Sequence, residues 1–267
     1  MNSYLEVAVE TAREAGAILL AEFDRPVKIS YKGEVDLVTQ ADKRSEEAIV
    51  SRLRAHFPDH AIVAEEGGGA ESQSPFRWHV DPLDGTTNFA HGYPWFAVSI
   101  GLEKAGDLIA VVIYQPVSGE LFTAAKGEGA FLNEKKIEVS RIEKLATSLL
   151  ATGFPSVKRA QNPNIHYYWD FTLRSHGVRR NGSAALDLAC VACGRFDGYW
   201  EFGLHTWDAA AGVLMVREAG GMVTQFDGQP YRLGDRELLA SNGRIHPEMK
   251  EIAAGVEGRA AARAPLQ

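Results

Sequence analysis

Cysteine is scarce in this chain: its 267 residues contain two, Cys190 and Cys193. That number cannot support a disulfide framework. The C-x-x-C spacing suits a redox or metal pair, but no second Cys/His pair completes a zinc site. The surrounding run from Ala184 to Gly194 reads as a buried helix ending at a glycine cap, so a structural role is expected for both thiols. Positive charge is also short. The 28 Lys and Arg face 35 Asp and Glu, giving a net charge of -7 and a pI of about 5.7. This balance argues against a nucleic-acid partner. It leaves an anionic substrate open, because a bound cation inverts local charge. No apolar run is long enough to span a membrane. Met1-Asn2-Ser3-Tyr4-Leu5-Glu6 lacks the basic region and apolar core of a secretory signal, so the cytoplasm is the expected location. Internal repeats, low-complexity segments and obvious linkers are absent too. With 45% hydrophobic residues, the chain can build one large core or two fused halves.

What is present centres on Asp81-Pro82-Leu83-Asp84-Gly85-Thr86-Thr87-Asn88-Phe89. Hard cations such as Mg²⁺ take oxygen ligands, usually one or two carboxylates plus substrate phosphate. Pro82 stiffens the connection between the two acids. Gly85 lets backbone approach a ligand. A helix starting near Thr86 would turn free N–H groups toward an anion. An isolated Asp-Gly is an ordinary turn. Here the run follows Phe76-Arg77-Trp78-His79-Val80, which reads as a strand, and strand ends are where open α/β sheets hold ligands. A phosphate-handling site is therefore expected. Glu65-Glu66, at a strand end, and Trp207-Asp208, at a helix start, are further candidates, although either could be surface acid. Asp208 would be favoured by the helix N-terminus.

Apolar spacing predicts a helix over 4–23 and a second from the Thr39-Gln40-Ala41-Asp42 start signal to Phe57, before Pro58. Strands are expected at Ala61–Ala64, Phe96–Glu103, Leu108–Gln115 and Glu120–Ala125, with a hairpin over 127–137. Gly67–Pro75 reads as a flexible polar loop. Beyond about 145 the pattern alternates: strands at Ser148–Ala151, near Val178, at Arg195–Glu201, Gly221–Phe226 and Leu238–Ser241, with helices at 163–175, 184–194 and about Ala209–Ala219. The Ala/Arg-rich tail, about 256–267, is expected to fray. The fold class is mixed α/β. Residues 1–144 form an α+β half with a mainly antiparallel sheet, residues 145–267 an alternating α/β half, and the two share one core.

These pieces resemble the inositol monophosphatase family. The resemblance rests on Asp36-Leu37-Val38-Thr39-Gln40-Ala41-Asp42, Ala64-Glu65-Glu66 and Asp81 to Asn88. It continues through Gly182-Ser183-Ala184-Ala185, Tyr199-Trp200-Glu201, Trp207-Asp208 and Glu218-Ala219-Gly220-Gly221, covering residues 4 to 255 or so. It implies a five-layered αβαβα sandwich, a homodimer, and Mg²⁺-dependent, lithium-sensitive hydrolysis of small phosphorylated polyols such as inositol monophosphate. Two to three Mg²⁺ per subunit would be held by Glu65, Asp81, the Leu83 carbonyl, Asp84 and Asp208. Like charges 4 Å apart repel by about 4 kcal/mol at an effective dielectric near 20, so such a cluster calls for cations. The implied mechanism is direct attack by a metal-activated water. Thr86, paired with Asp42, would orient or deprotonate that water, with Glu65 assisting. Backbone N–H groups of Gly85 and Thr86 would hold phosphate oxygens beside Asp84 and Asp208. Gly182, Ser183, Ala184 and Glu201 would contact substrate, together with Arg179, although Arg179-Arg180 equally reads as a surface pair. Phe154 departs from animal relatives, which carry a polar residue there, and this bears on whether inositol phosphate is the preferred substrate.

Rival readings make distinct demands. Haloacid-dehalogenase-like phosphatases use Asp-x-Asp-Gly-Thr, whereas here Pro82 stands two before Asp84, where their nucleophile would be. Histidinol-phosphate, fructose-1,6-bisphosphate and phosphoadenosine-phosphate phosphatases of the same superfamily are harder to set apart from this pattern. A non-enzymatic alternative is a regulatory partner of RNA polymerase or ribosome assembly.

Overall fold

The computed structural model describes residues 3–23, 29–31, 37–67, 69–154 and 162–262. Asp36, Gly68, Pro155 and the tail from 263 lie outside them. Two helices lead the chain, α1 (Ser3–Phe23) and α2 (Gln40–His56), with the short antiparallel pair β1 (Ile29–Tyr31) and β2 (Leu37–Thr39) between them. Thr39 caps α2 in a capping box with Asp42, as the start signal predicts.

The first sheet has seven strands in chain order: β3 (Ala61–Ala64), β4 (Phe76–Asp84), β5 (Ala97–Lys104), β6 (Asp107–Gln115), β7 (Glu120–Ala125), β8 (Gly129–Leu132) and β9 (Lys135–Ile137). Only the β3–β4 pair is parallel among these. Strand β4 runs to Asp84, beyond the expected end at Val80. The glycine loop before it is less free than its composition suggests, because Ala70 exchanges two backbone hydrogen bonds of 2.8 Å with Ile62. A short helix, α3 (Thr86–Ala90), follows β4.

The second sheet has the order β11 (Gly177–Arg179), β10 (Leu149–Thr152), β12 (Gly198–Phe202), β14 (Glu237–Ser241), β13 (Met222–Thr224). It is parallel around β10 and antiparallel around β14. Helices α4 (Asn164–Arg174), α5 (Ala184–Ala192), α6 (Thr206–Glu218) and α7 (His246–Ala262) complete the chain. Helix α7 corrects the expected frayed tail at least through Ala262.

Three apolar clusters define the layers. Leu5, Ala12 and Leu19 of α1 and Ile49 and Leu53 of α2 pack on Trp78, Val80, Ile100 and Val112 of the first sheet. The alternate residues Val111 and Ile113 face the other way, onto α5 and α6, which also meet Tyr199, Leu238 and Ala240 of the second sheet. The far face of that sheet, Leu150, Trp200 and Leu239, packs on Tyr167 and Phe171 of α4 and Met249 and Ala253 of α7. The result is αβαβα, five layers deep. Being sandwiched between sheets explains why α5 and α6 are apolar all round. Cys190 is buried in α5 and Cys193 caps it; both thiols are free.

Candidate active site

The sandwich brings the ends of β3, β4, α2, α5, α6 and β12 together. Strand β4 delivers the central acids. Its register against β5 slips between Asp81 and Asp84, a bulge at Pro82, which lacks the N–H a regular ladder needs. The bulge is pinned by Ser45, whose hydroxyl donates to the Pro82 carbonyl at 2.8 Å. Gly85 then turns with φ 102°, and a side chain there would press within 2.9 Å of the Trp95 carbonyl. That sharp turn starts α3 at Thr86.

Thr86 Oγ1 donates to Asp42 Oδ1 at 3.0 Å and lies 3.1 Å from the Leu83 carbonyl. Asp42 is fully buried. Burial raises its pKa, against hydrogen bonds from Thr39 and Thr86 that lower it. The expected Thr86–Asp42 pair is thus formed across 44 residues of sequence. The parallel register aligns Ala64 with Val80, so Glu65 emerges beside Asp81.

Asp208 sits in the first turn of α6, its carboxylate accepting the His205 N–H at 2.7 Å. Asp81 is buried and its pKa is raised well above normal, by burial first and then by Glu65, Asp84 and Asp208. Asp84 is pushed up to about 6, chiefly by burial. Neither acid, nor Asp208, forms an ion pair with a Lys or Arg among the described residues.

The donor set is therefore hard carboxylate oxygen, desolvated and mutually repelling, which fits a hard divalent cation. Among the described residues no three acidic, His or Cys side chains are gathered into a ready cage. Each carboxylate is turned to a local donor instead: Asp81 to the Leu83 N–H, Asp208 to His205, and Asp84 to α5.

The α5 contact changes the reading of the Gly182–Ala184 turn. Ser183 Oγ and the Ala185 N–H each donate to Asp84 Oδ2 at 2.7 Å, and the Ala184 N–H also stabilises that carboxylate. Residues read as substrate contacts here hold an acid of the cluster.

Glu201 lies on β12, 8% exposed and pushed up to about 7 by burial. Arg179 is exposed, with its guanidinium over Gly177. It is Arg180 whose positive field reaches Glu201 and the buried Asp187.

Other supports went unread in the sequence. Asn88 donates to the carbonyls of Asn181 and Trp95, both at 2.7 Å, tying α3 to the turn before α5. His79 bridges Thr206 at the start of α6 and Glu103 on β5, each at 3.0 Å. Asn88 stands inside the central motif and His79 within its strand, so position alone was their signal.

The fold and its comparison with known proteins together define a phosphatase of a metal-dependent class. The chain belongs to the inositol monophosphatase family, which it matches over residues 1–257. It is 46% identical over 258 residues to an inositol-1-monophosphatase of Synechocystis, covering 95% of this chain and 90% of that protein. It is 43% identical to the Nus factor SuhB of Pseudomonas aeruginosa, covering 91% of this chain and 92% of that one. The solved inositol monophosphatase of Anabaena superposes with a TM-score of 0.87 at 44% identity, covering 95% of this chain and 96% of that structure.

Proposed function

We propose that this phosphatase hydrolyses small phosphorylated polyols, inositol monophosphate foremost, by direct attack of water in a Mg²⁺-dependent reaction. The observation that carries the reading is the Thr86–Asp42 pair beside the Asp81, Asp84, Glu65 and Asp208 cluster. Thr86 has one hydroxyl proton, given to Asp42, so its lone pairs can accept a hydrogen bond from an attacking water. As the water oxygen bonds to phosphorus and the ester P–O bond breaks, the water proton passes to Thr86 while the Thr86 proton moves to Asp42, and the departing alkoxide takes a proton from a solvent water. Burial raises the Asp42 pKa and so suits it to receive a proton. Glu65 assists from the end of β3. The N–H groups of Gly85 and Thr86 bind phosphate oxygens. Two to three Mg²⁺, held by Glu65, Asp81, the Leu83 carbonyl, Asp84 and Asp208, would neutralise phosphoryl charge and lower the pKa of water. Gly182, Ser183, Ala184 and Glu201, with Arg179 or Arg180, border the alcohol half of the ligand.

The test is a purified-enzyme screen over phosphomonoesters, including histidinol phosphate, fructose 1,6-bisphosphate and phosphoadenosine phosphate. Inositol phosphate should lead, chelation should abolish turnover, Mg²⁺ should restore it and millimolar-scale lithium should inhibit it. Full activity after exhaustive chelation overturns the reading. The SuhB relative supports a second reading, a regulatory partner in the transcription machinery; a pull-down and rescue by an inactive variant test it.

The cytoplasm fits both readings, and among the described residues no helix is long and apolar enough to cross a membrane. We further propose a homodimer. Ile165, Trp169 and Leu173 recur every four residues on α4 and are 54%, 67% and 67% exposed, an apolar stripe suited to a second copy. Residues 1–144 and 145–267 would act as one unit, because α5 and α6 pack on both sheets.

A further inference from the structure

We infer that Tyr199 and Gly153 are the residues that set alcohol selectivity, by seating the Glu201 carboxylate so that one oxygen is tied and the other is offered to a substrate hydroxyl. This rests on the proposed role of Glu201 at the alcohol half of the ligand.

Tyr199 and Glu201 are two apart on β12 and so share a face of the strand. The Tyr199 side chain is fully buried, and its hydroxyl donates to Glu201 Oε2. Glu201 Oε1 receives no hydrogen bond from a described residue. Above about pH 7, where it is ionised, this carboxylate has acceptor capacity only. The open oxygen therefore calls for a donor from the ligand, and a hydroxyl supplies one.

The second wall is Gly153, just past β10. A side-chain carbon built there would fall 2.1 Å from Glu201 Oε2 and 2.2 Å from Oε1, so the carboxylate occupies the space that any other residue would fill. Gly153 cannot drift aside. Its carbonyl accepts from Asn164 Nδ2 at 2.5 Å, Asn164 Oδ1 in turn accepts from Trp200 Nε1 at 2.5 Å, and Thr152 Oγ1, which accepts from Asn164 Nδ2 at 2.8 Å, donates to the Trp200 carbonyl at 2.6 Å. Asn164, Thr152 and Trp200 are all fully buried. A backbone position locked by a buried network and a carboxylate locked by a buried phenol together make a rigid acceptor, the kind of group that discriminates hydroxyl donors most strongly. Glu201 also repels phosphate, which orients a polyol phosphate with its hydroxyls toward β12 and its phosphoryl group toward the acid cluster.

The experiment compares kcat and KM for inositol 1-phosphate and p-nitrophenyl phosphate in Tyr199→Phe, Gly153→Ala, Glu201→Ala and the Gly153→Ala/Glu201→Ala double variant. Melting temperatures are followed in parallel. Tyr199→Phe keeps the ring in the core and removes only the donor. It should raise KM for inositol 1-phosphate by roughly tenfold, the scale of a lost hydrogen bond to a charged group, and leave the aryl ester within about twofold. Gly153→Ala should do the same, and the double variant should be no worse than Glu201→Ala alone, because both remove one contact. Equal losses on both substrates in Tyr199→Phe, or multiplying losses in the double variant, overturn the inference. If Glu201→Ala itself treats both substrates alike, the role of Glu201 falls, and this inference with it. If Glu201→Ala discriminates but Tyr199→Phe and Gly153→Ala match wild type, only the seating is wrong.

Discussion

Asp81 and Asp84 show how one acid is worth different things to folding and to catalysis. Asp81 is buried and Asp84 half-buried, and desolvation raises both pKa values. Replacing either with Asn removes a repulsive, desolvated charge and keeps the shape. Turnover should fall by about a thousandfold or more, the scale of several kcal/mol of lost metal stabilisation. The melting temperature in chelator should hold or rise. Near-wild-type kcat at saturating Mg²⁺ would refute their role as ligands. Glu201 gives a pH prediction. Burial, against the Tyr199 hydrogen bond, lifts it from 4.5 to about 7. Between those values the folded protein keeps a proton that the unfolded chain has lost. The stability this contributes is fully present below about 4.5 and is lost as pH rises through about 7. In chelator, the melting temperature of wild type relative to Glu201→Gln should therefore decline across that window. A constant difference would show that the carboxyl group does not titrate there.

At the scale of elements, α5 links the two ends of the site. Its N-cap Ser183 accepts the Leu186 N–H at 3.3 Å and donates to Asp84 at 2.7 Å. Ser183→Ala removes both bonds. It should cost about 1 kcal/mol through the cap. Activity should fall roughly ten- to a hundredfold with a weaker Mg²⁺ requirement curve, as for other residues that orient a metal ligand. Threonine keeps the hydroxyl and should restore most of the loss. A variant that melts earlier yet keeps its Mg²⁺ dependence would reduce Ser183 to a cap. Helix α6 has a parallel arrangement, with Asp208 in its first turn and Thr206 bound to His79.

For the whole molecule, the apolar stripe on α4 predicts assembly. Trp169→Glu with Leu173→Glu should move the protein from dimer to monomer in sedimentation velocity, since both residues are exposed and support no core. Unchanged sedimentation would place the interface elsewhere. Direct attack by water also makes a stereochemical prediction. A chiral phosphate ester should be hydrolysed with inversion at phosphorus, and acid quenching should trap no labelled protein. Retention, or a trapped aspartyl phosphate, would remove Thr86 and Asp42 from their proposed roles.

Much of this was written in local sequence. The short apolar runs of β5, β6 and β7 between Gly-containing turns, the Thr39–Asp42 cap and the Asp81-Pro82-Leu83-Asp84 run act within a few residues, where covalent geometry decides the outcome. Helix α7 went unread although Met249, Ile252, Ala253 and Val256 recur at helical spacing and pack on the core; with Pro247 and Glu248 near its start they were the available signal. Pairing across the chain was a different matter. Thr86 meets Asp42 across 44 residues, Asp84 meets Ser183 across 99, and His79 meets Thr206 across 127. Asp42 reaches Thr86 because α2 packs on the outer face of the first sheet, and Ser183 and Thr206 reach Asp84 and His79 because α5 and α6 lie between the two sheets; the sequence by itself determined which groups could do chemistry, and the packing of the layers decided which of them meet.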